Sequence, residues 1–392
     1  MKSNRLQITV VVLGIFTFLS LFAFANIGTN ENSDIESFGF IEQNTGHIIR
    51  LLDDDTEIDE KTQVRFGRMV FEVEMTRGPH RGETFEASYI LVNQATVPLD
   101  VGDRVSVLIN FQLVPSIDDE HDFDEILTVE IRGPERTEFI VGFAFFFLLL
   151  LCLIGGKRGV MSVLGLLFSL FSIMFILVPL VLQGYSAILV SIIIITLTTV
   201  VNLTLLAGVT PKSISAMLGC IIGILFAAFF AWLVSSLVYI NGHSMEDVGT
   251  LAHFAPNADI SGLFISSVLI ATIGAVMDTA MSISSAVEEI KLANPDISTR
   301  KLFEAGMNVG RDVMGTMSDT LILAFTGTAL NLVLIISATD TSFNQFINNN
   351  FIGVEIIRGL AGSLGIILTS PAVAYIAARL LGSKHWSKSN KQ

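Results

Sequence analysis

Cysteine is nearly missing from the 392 residues: Cys152 and Cys220 are the only two, and both lie inside apolar runs. That argues against a disulfide scaffold or a Cys-ligated metal, since a free Cys in such a run behaves as a small hydrophobe. Charge is also scarce, at 15% of residues against 51% apolar, far from the mix of an ordinary soluble domain. Basic residues are outnumbered where acid is densest. Between Gly28 and Arg136, roughly 24 carboxylates stand against 9 Lys and Arg. The net charge of −14 therefore belongs to one insert. Such an insert argues against nucleic acid, whose phosphates need Lys and Arg. Enzyme signatures are lacking too: no Gly-x-Ser-x-Gly, His-Glu-x-x-His or phosphate-loop pattern occurs, and no nucleophile–base constellation replaces them. Neither a cofactor nor an enzymatic activity is expected.

What the chain does have is hydrocarbon. A bilayer core takes roughly 20 apolar residues per helix. Eight stretches qualify: Leu6–Ala25, Phe139–Ile154, Val160–Leu182, Ala187–Ala207, Ile214–Ile240, Ile260–Ser285, Thr320–Ala338 and Val354–Leu380. The expected fold class is mainly α, a polytopic helical membrane bundle of about eight transmembrane helices with the lipid bilayer as partner. Lys and Arg set the orientation. One side carries Lys2, Arg5, Lys157, Arg158, Lys212, Lys291, Arg300, Lys301, Arg311 and the tail lysines, whereas the short loops 183–186, 241–259 and 339–353 have none. Both termini are thus expected in the cytoplasm and the acidic insert outside. The division is an N-terminal membrane anchor (1–27), an extracytoplasmic acidic β domain (28–137), a seven-helix transmembrane domain (138–384) and a basic tail (385–392). Ala23-Phe24-Ala25 resembles a signal-peptide cleavage site. Cleavage there would leave seven spans in the same orientation, but the apolar run is long for a signal peptide and favours an anchor.

The insert reads as β structure. Val64–Thr76 and Glu83–Val92 are strand-like, the second alternating Phe85, Ala87, Tyr89 and Leu91 with polar neighbours. Arg77–Gly82 between them has hairpin-loop chemistry. Arg104–Phe111 and Ile126–Ile131 supply further strands, so a small barrel or sandwich is expected, possibilities that include an OB-like barrel. Asp118-Asp119-Glu120-His121-Asp122 offers Ca²⁺ oxygens but lacks the spacing and glycine of an EF-hand, and reads more simply as a solvated loop. His243 and His253 lie near Glu246 and Asp247 without a Cys or a close ligand set. No metal is identified.

Ionisable groups in hydrocarbon demand a reason. Asp278, Ser282, Ser285 and Glu289 are spaced four, three and four, hence on one helical face, which continues through Gly274, Ala271 and Ser267. A face so polar and small is expected to look into the bundle. Asn308, Asp312, Gly315 and Asp319 repeat the spacing, and Thr326 extends it. Asp312 and Asp319 are placed toward the cytoplasmic interface, where Arg311 or water satisfies them. Gly306 and Gly310 permit close backbone approach or a helix break. Two successive carboxylate stripes interrupted by Gly are a pattern of transporter binding sites, and equally of two helices hydrogen-bonded together. Elsewhere Thr196, Thr199 and Thr204 are expected to bond back to helix carbonyls, Asn331 across helices, and Glu355 with Arg358 one turn on. Gly219, Gly223, Ala227 and Ala231 form a packing ridge, as do Gly359, Gly362, Ser363 and Gly365.

The strings Gly274-Ala275-Val276-Met277-Asp278, Ser282-Ile283-Ser284-Ser285-Ala286, Gly306–Met317 and Thr320-Leu321-Ile322-Leu323-Ala324 together resemble the YibE/F family of bacterial membrane proteins. The N-terminal anchor, the outer β domain and the Gly-Gly-Lys-Arg-Gly turn agree with it. The family pattern has Asn before Thr320, where this chain has Asp319, so a shared role for that position does not carry over. The resemblance implies this topology in a bacterial plasma membrane and adds little chemistry. The leading expectation is a permease for a small ion or solute, with a pathway lined by the sixth and seventh spans and Asp278 at its centre. Ser282, Ser285, Glu289, Asn308, Asp312 and Asp319 are the other candidates, and such hard oxygens suit Na⁺, H⁺, Mg²⁺ or Mn²⁺. The alternative is a non-transporting scaffold, sensor or assembly factor acting through the β domain. A protein partner or an oligomer fits either reading, and nothing in the sequence identifies one.

Overall fold

A computed structural model describes residues 18, 19, 22, 41–60, 63–91, 97–112, 125–339 and 342–382. Most of the first expected span, the Ala25 cleavage point, the Asp118–Asp122 cluster and the basic tail lie outside the described residues. The chain divides into two compact units, 32–150 and 1–31 with 151–392.

The first unit is built on a closed barrel in the order β1-β2-β3-β5-β4. Its strands are β1 Ile41–Ile58, β2 Arg65–Met75, β3 Thr84–Leu91, β4 Arg104–Gln112 and β5 Glu125–Pro134. The barrel alternative therefore holds, in the five-stranded Greek-key order of OB-type barrels. Alternation decides the core: Phe71, Val73, Ala87, Tyr89, Val105 and Val107 are all almost fully buried, as period-two side chains on one face must be. Tyr89 keeps its hydroxyl satisfied by donating to the Val97 carbonyl at 2.7 Å. The expected hairpin joins β2 to β3, and β3 meets β5 in parallel at Ser88 and Glu130.

One strand corrects the sequence reading, which has none before Val64. β1 is 18 residues long and includes Asp53-Asp54-Asp55. Register shifts at Ile48/Arg50 and Leu51/Asp53 break its alternation, and those acids lie exposed. Nothing in its second half therefore repeats every two residues, so the run carries no strand signal of its own.

The helices are α1 Thr137–Ser172, α2 Val178–Leu182, α3 Ala187–Ala207, α4 Pro211–Val238, α5 Val248–Phe254, α6 Ile260–Ala293, α7 Thr299–Thr328, α8 Leu330–Ala338, α9 Phe343–Ile347 and α10 Asn350–Gly382. A π-turn, Ile173–Leu177, joins α1 to α2. Among the described residues five helical stretches are long and apolar enough to cross a membrane, or six if α7 and α8 count as one bent span. The stretch 137–182 counts once but is not straight. Gly156 adopts φ 54° and ψ −133°, and a side chain on Gly159 would strike the Leu151 carbonyl. Along an unbroken helix those positions lie about 12 Å apart, so the chain reverses at the expected Gly-Gly-Lys-Arg turn.

Small residues let the helices of the second unit approach closely. A Cβ on Gly365 would lie 2.7 Å from Ala227 Cβ and 3.1 Å from the Gly223 carbonyl, so the two expected ridges meet where α4 crosses α10. The helix ends are also fixed. Thr210 and Ser213 form a capping box on α4, and Ser298 caps α7. Asp259 accepts from Gly262 N on α6 and from Ala187 N at 2.9 Å, tying the starts of α3 and α6 to one level. Lys291, buried, donates to the Pro295 and Ile297 carbonyls in the α6–α7 turn.

Candidate functional site

The α6 stripe is where periodicity puts it, on one face, but that face points outward. Ala271, Gly274, Asp278, Ser282 and Glu289 are exposed and Ser267 and Ser285 half-buried, while Phe264, Val268, Val276, Ile283 and Val287 on the other face are buried. The expectation of an inward stripe is overturned. The reason is packing. α6 carries two stripes, and the apolar one meets the small residues of α4, α7 and α10: Val287 and Ile283 reach Gly306 and Gly310, and Thr272 seats against Gly362. Only one face can occupy that centre, and the larger contact area goes with the apolar one.

α7 behaves alike. Leu302, Gly306, Gly310 and Leu321 are buried, whereas Asn308, Asp312, Gly315, Asp319 and Thr326 are exposed. The close approach expected at Gly306 and Gly310 is present. Cβ atoms there would lie 2.7 Å from Val287 and 3.2 Å from Ser370 respectively, and α7 runs unbroken through both glycines.

These contacts also give the heights. Ser215 and Ser284 hydrogen-bond at 2.8 Å and Lys212 lies 3.5 Å from Glu288, which puts this end of α6 level with the start of α4. Asp278 is six residues from Ser284, about 9 Å toward mid-bundle. Gly310 faces Ile283, so Asp312 stays near that level while Asp319, nine residues on, is about 13 Å in. Measured from that level, Asp319 is the deepest carboxylate of the stripe. Arg311 does not reach it, donating instead to Asn308 Oδ1 at 2.8 Å. Among the described residues no side-chain hydrogen bond or ion pair engages Asp278, Ser282, Ser285, Glu289 or Asp319. Among the described residues the structure thus gives two polar outward faces.

Two of the cavities among the described residues lie elsewhere. One of about 290 Å³ lies among α1, α3 and α6, with Ser162, Ser169, Thr198, Asn202 and Gly274 in its lining. Asn202 donates to Ser169 across helices at 3.0 Å, while Thr198 and Thr199 bond back to the Ile195 carbonyl, the latter as expected. The other, of about 470 Å³, sits where the expected seventh span fails to be straight: α7 and α8 meet at Ala329 with a 58° bend. Asn331, expected to bond across helices, lines this cavity and is exposed. Glu355 and Arg358 border it, paired at 2.5 Å as expected. The break falls at Gly327-Thr328-Ala329, small residues amid an apolar run that straight membrane helices also carry. Among the described residues no group of three His, Cys, Asp or Glu could hold a metal.

The sequence model of a family described as YibE/F-like protein matches residues 143–383, from within α1 to past the end of α10 and without the barrel. No curated protein and no solved structure matches.

Proposed function

The chain belongs to the YibE/F-like family, and from that premise we propose that it is a membrane permease subunit moving a small ion or solute along the outward polar faces of α6 and α7. In this reading it crosses a bacterial plasma membrane eight times with both termini cytoplasmic and the barrel outside. The Lys/Arg asymmetry and the apolar helices support that arrangement, the reversal at Gly156 counting as two spans and the apolar run Leu6–Ala25 of the sequence supplying the eighth. One observation carries the functional part: exposed carboxylates at and below mid-height on helices of membrane-spanning length. Hydrocarbon charges several kcal/mol for such groups, so water and a second polypeptide cover them in the working assembly. Asp278 is the central ion or proton site and Asp312 and Asp319 its neighbours along the route.

The test is flux into sealed vesicles with wild type and Asp278→Asn at equal protein level. Asp278→Asn is expected to abolish flux, and equal flux removes the proposal. The same outward face would also suit a partner-binding surface, which favours the second reading, a non-transporting scaffold, sensor or assembly factor. Deleting residues 35–132 separates the two. The scaffold loses its phenotype with the barrel and keeps it in Asp278→Asn, whereas a permease does the reverse.

A further inference from the structure

The barrel is closed along only part of β1. That strand pairs with β4 over Ile41–His47 and with β2 over Gly46–Ile58. Ile48 ends the β4 side, its N–H donating to the Asp103 carbonyl and its own carbonyl accepting from Gly102 N, both at 3.0 Å. From Ile49 to Ile58 the strand has β2 on one side and, among the described residues, no backbone partner on the other. An antiparallel ladder turns the N–H and C=O of every second residue away from the partner strand. Half of β1 therefore offers a free edge on an otherwise closed sheet, a template on which another strand pairs. The Asp54 N–H is held locally, donating to Asp53 Oδ1 at 3.0 Å. Beyond the last register shift Asp53, Asp55 and Glu57 stand at two-residue spacing and share a face, about 7 Å from one to the next. That face is the outer one: they lie opposite Val70, Arg68 and Phe66, while β2 buries the alternate set Met69, Phe71 and Val73. All three acids are exposed. Among the described residues none of them makes an ion pair, whereas Asp54, on the other face, is paired with Arg65. Arg68 opposite Asp55 still leaves the row with a net negative charge. Ile49, Leu51, Leu52 and Ile58 add exposed apolar surface along the same half of the strand.

We propose that the free edge of β1 takes an extended segment of another protein as an added strand, with Lys or Arg at every second position. Backbone pairing along the edge supplies the affinity and the row of acids supplies the choice of partner. Charge on an edge ordinarily keeps other strands off, but against a basic strand the same charge attracts. Opposite charges facing each other across two strands stabilise the pair and like charges weaken it. That rule removes the occupants this chain could provide. Segments 26–40 and 113–124 carry carboxylates and no Lys or Arg. A second copy laid edge to edge sets the acids of β1 against themselves. The tail lysines 384, 388 and 391 are three and four residues apart, the wrong period for one face of a strand. The inference goes beyond the permeation reading and does not rest on it, since no residue of α6 or α7 contributes to the edge.

The experiment uses the purified full chain in nanodiscs of zwitterionic lipid, which does not itself attract a basic peptide. The probes are three fluorescently labelled eight-residue peptides: alternating Lys and Thr, the same sequence with every second amide N-methylated, and alternating Glu and Thr. Binding is read by anisotropy, and its place by deuterium exchange of the backbone amides. The Lys–Thr peptide is expected to bind and to slow exchange within residues 49–58. N-methylation keeps the charge but removes ladder donors, and is expected to weaken binding about tenfold or more. The Glu–Thr peptide is expected not to bind. Asp53→Asn/Asp55→Asn/Glu57→Gln, all at exposed positions, is expected to weaken the Lys–Thr peptide about tenfold, the size of three exposed ion pairs together. No binding of the Lys–Thr peptide, equal binding of the N-methylated one, or protection confined to residues outside 49–58 overturns the proposal. Wild-type affinity in the triple variant overturns the basic partner. The peptide arms need no variant, so the outcome stands even where the triple variant fails to fold. Vesicle flux in Asp278→Asn is a separate readout, so this edge can fail while the permeation reading stands.

Discussion

Alanine at Gly223 and alanine at Gly274 are one chemical change with opposite expected signs. In a helix interior Gly→Ala stabilises by roughly 0.5–1 kcal/mol through backbone entropy alone. At Gly274 a new Cβ would meet nothing within 4 Å, so the whole gain is expected. At Gly223 it would fall on Thr369 Oγ1 and come within 3.1 Å of the Gly365 carbonyl. Thr369 donates to that same carbonyl at 2.7 Å. Displacing the hydroxyl forfeits a bond worth about 0.5–1.5 kcal/mol, and forcing the α4–α10 crossing apart costs about 1–3 kcal/mol more. The entropy gain offsets part of this, leaving a net loss of about 0.5–4 kcal/mol. The assay is reversible SDS-induced unfolding of the purified, detergent-solubilised monomer, followed by circular dichroism. Gly223→Ala with an unchanged or raised midpoint, or Gly274→Ala destabilised in the monomer, would refute the reasoning, because either result means the helix faces are not where the contacts put them.

Three further outcomes are expected. Lys291→Met leaves the Pro295 and Ile297 carbonyls without their charged donor and is expected to cost about 1.5–3 kcal/mol in the same unfolding assay; an unchanged midpoint removes the capping role. Phe71, 1% exposed in the barrel, is expected to cost about 3–5 kcal/mol as Phe71→Ala. Limited proteolysis of the intact chain should then cut between residues 41 and 134 sooner while the helices survive, and unchanged cutting rates count against the barrel core. The Thr56 hydroxyl beside Asp54 is the main cause holding that carboxyl below its ordinary value of 3.8. Its stabilising share is present above that pH and is lost as pH falls through the depressed value. Thr56→Val should move the Asp54 NMR titration midpoint upward, and an unmoved midpoint would dismiss the hydroxyl.

Legibility in the sequence follows the strength of the local physics. β3 was readable because Phe85, Ala87, Tyr89 and Leu91 alternate without interruption, and α3 because an apolar run between Ser186 and Gly208 leaves little choice of ends. β1 was not, since two register shifts erase its period. The stripe on α6 was legible as a stripe, for periodicity fixes which residues share a face. Its direction was not, because that depends on what the opposite face meets. The glycines of α7 and α10 that receive Ile283, Val287 and Thr272 are remote in sequence from them. The bend at Ala329 was hidden for a related reason: Gly327, Thr328 and Asn331 are all tolerated in straight membrane helices, so a break there is a tertiary outcome.

The orientation of the stripes has a consequence for the proposed assembly. Small-residue helix faces in membranes meet their like, and the open positions Gly274 and Gly315 would permit it. A second copy presenting the same surface, however, sets Asp278, Asp312 and Asp319 against their own kind, and paired carboxylates in low dielectric resist sharing a site unless one takes a proton or a cation lies between them. The cover over α6 and α7 therefore has to bring donors or admit cations and water. Either way the acidic face cannot be inert: a cover that brings donors fits the scaffold reading, and one that admits cations and water fits permeation.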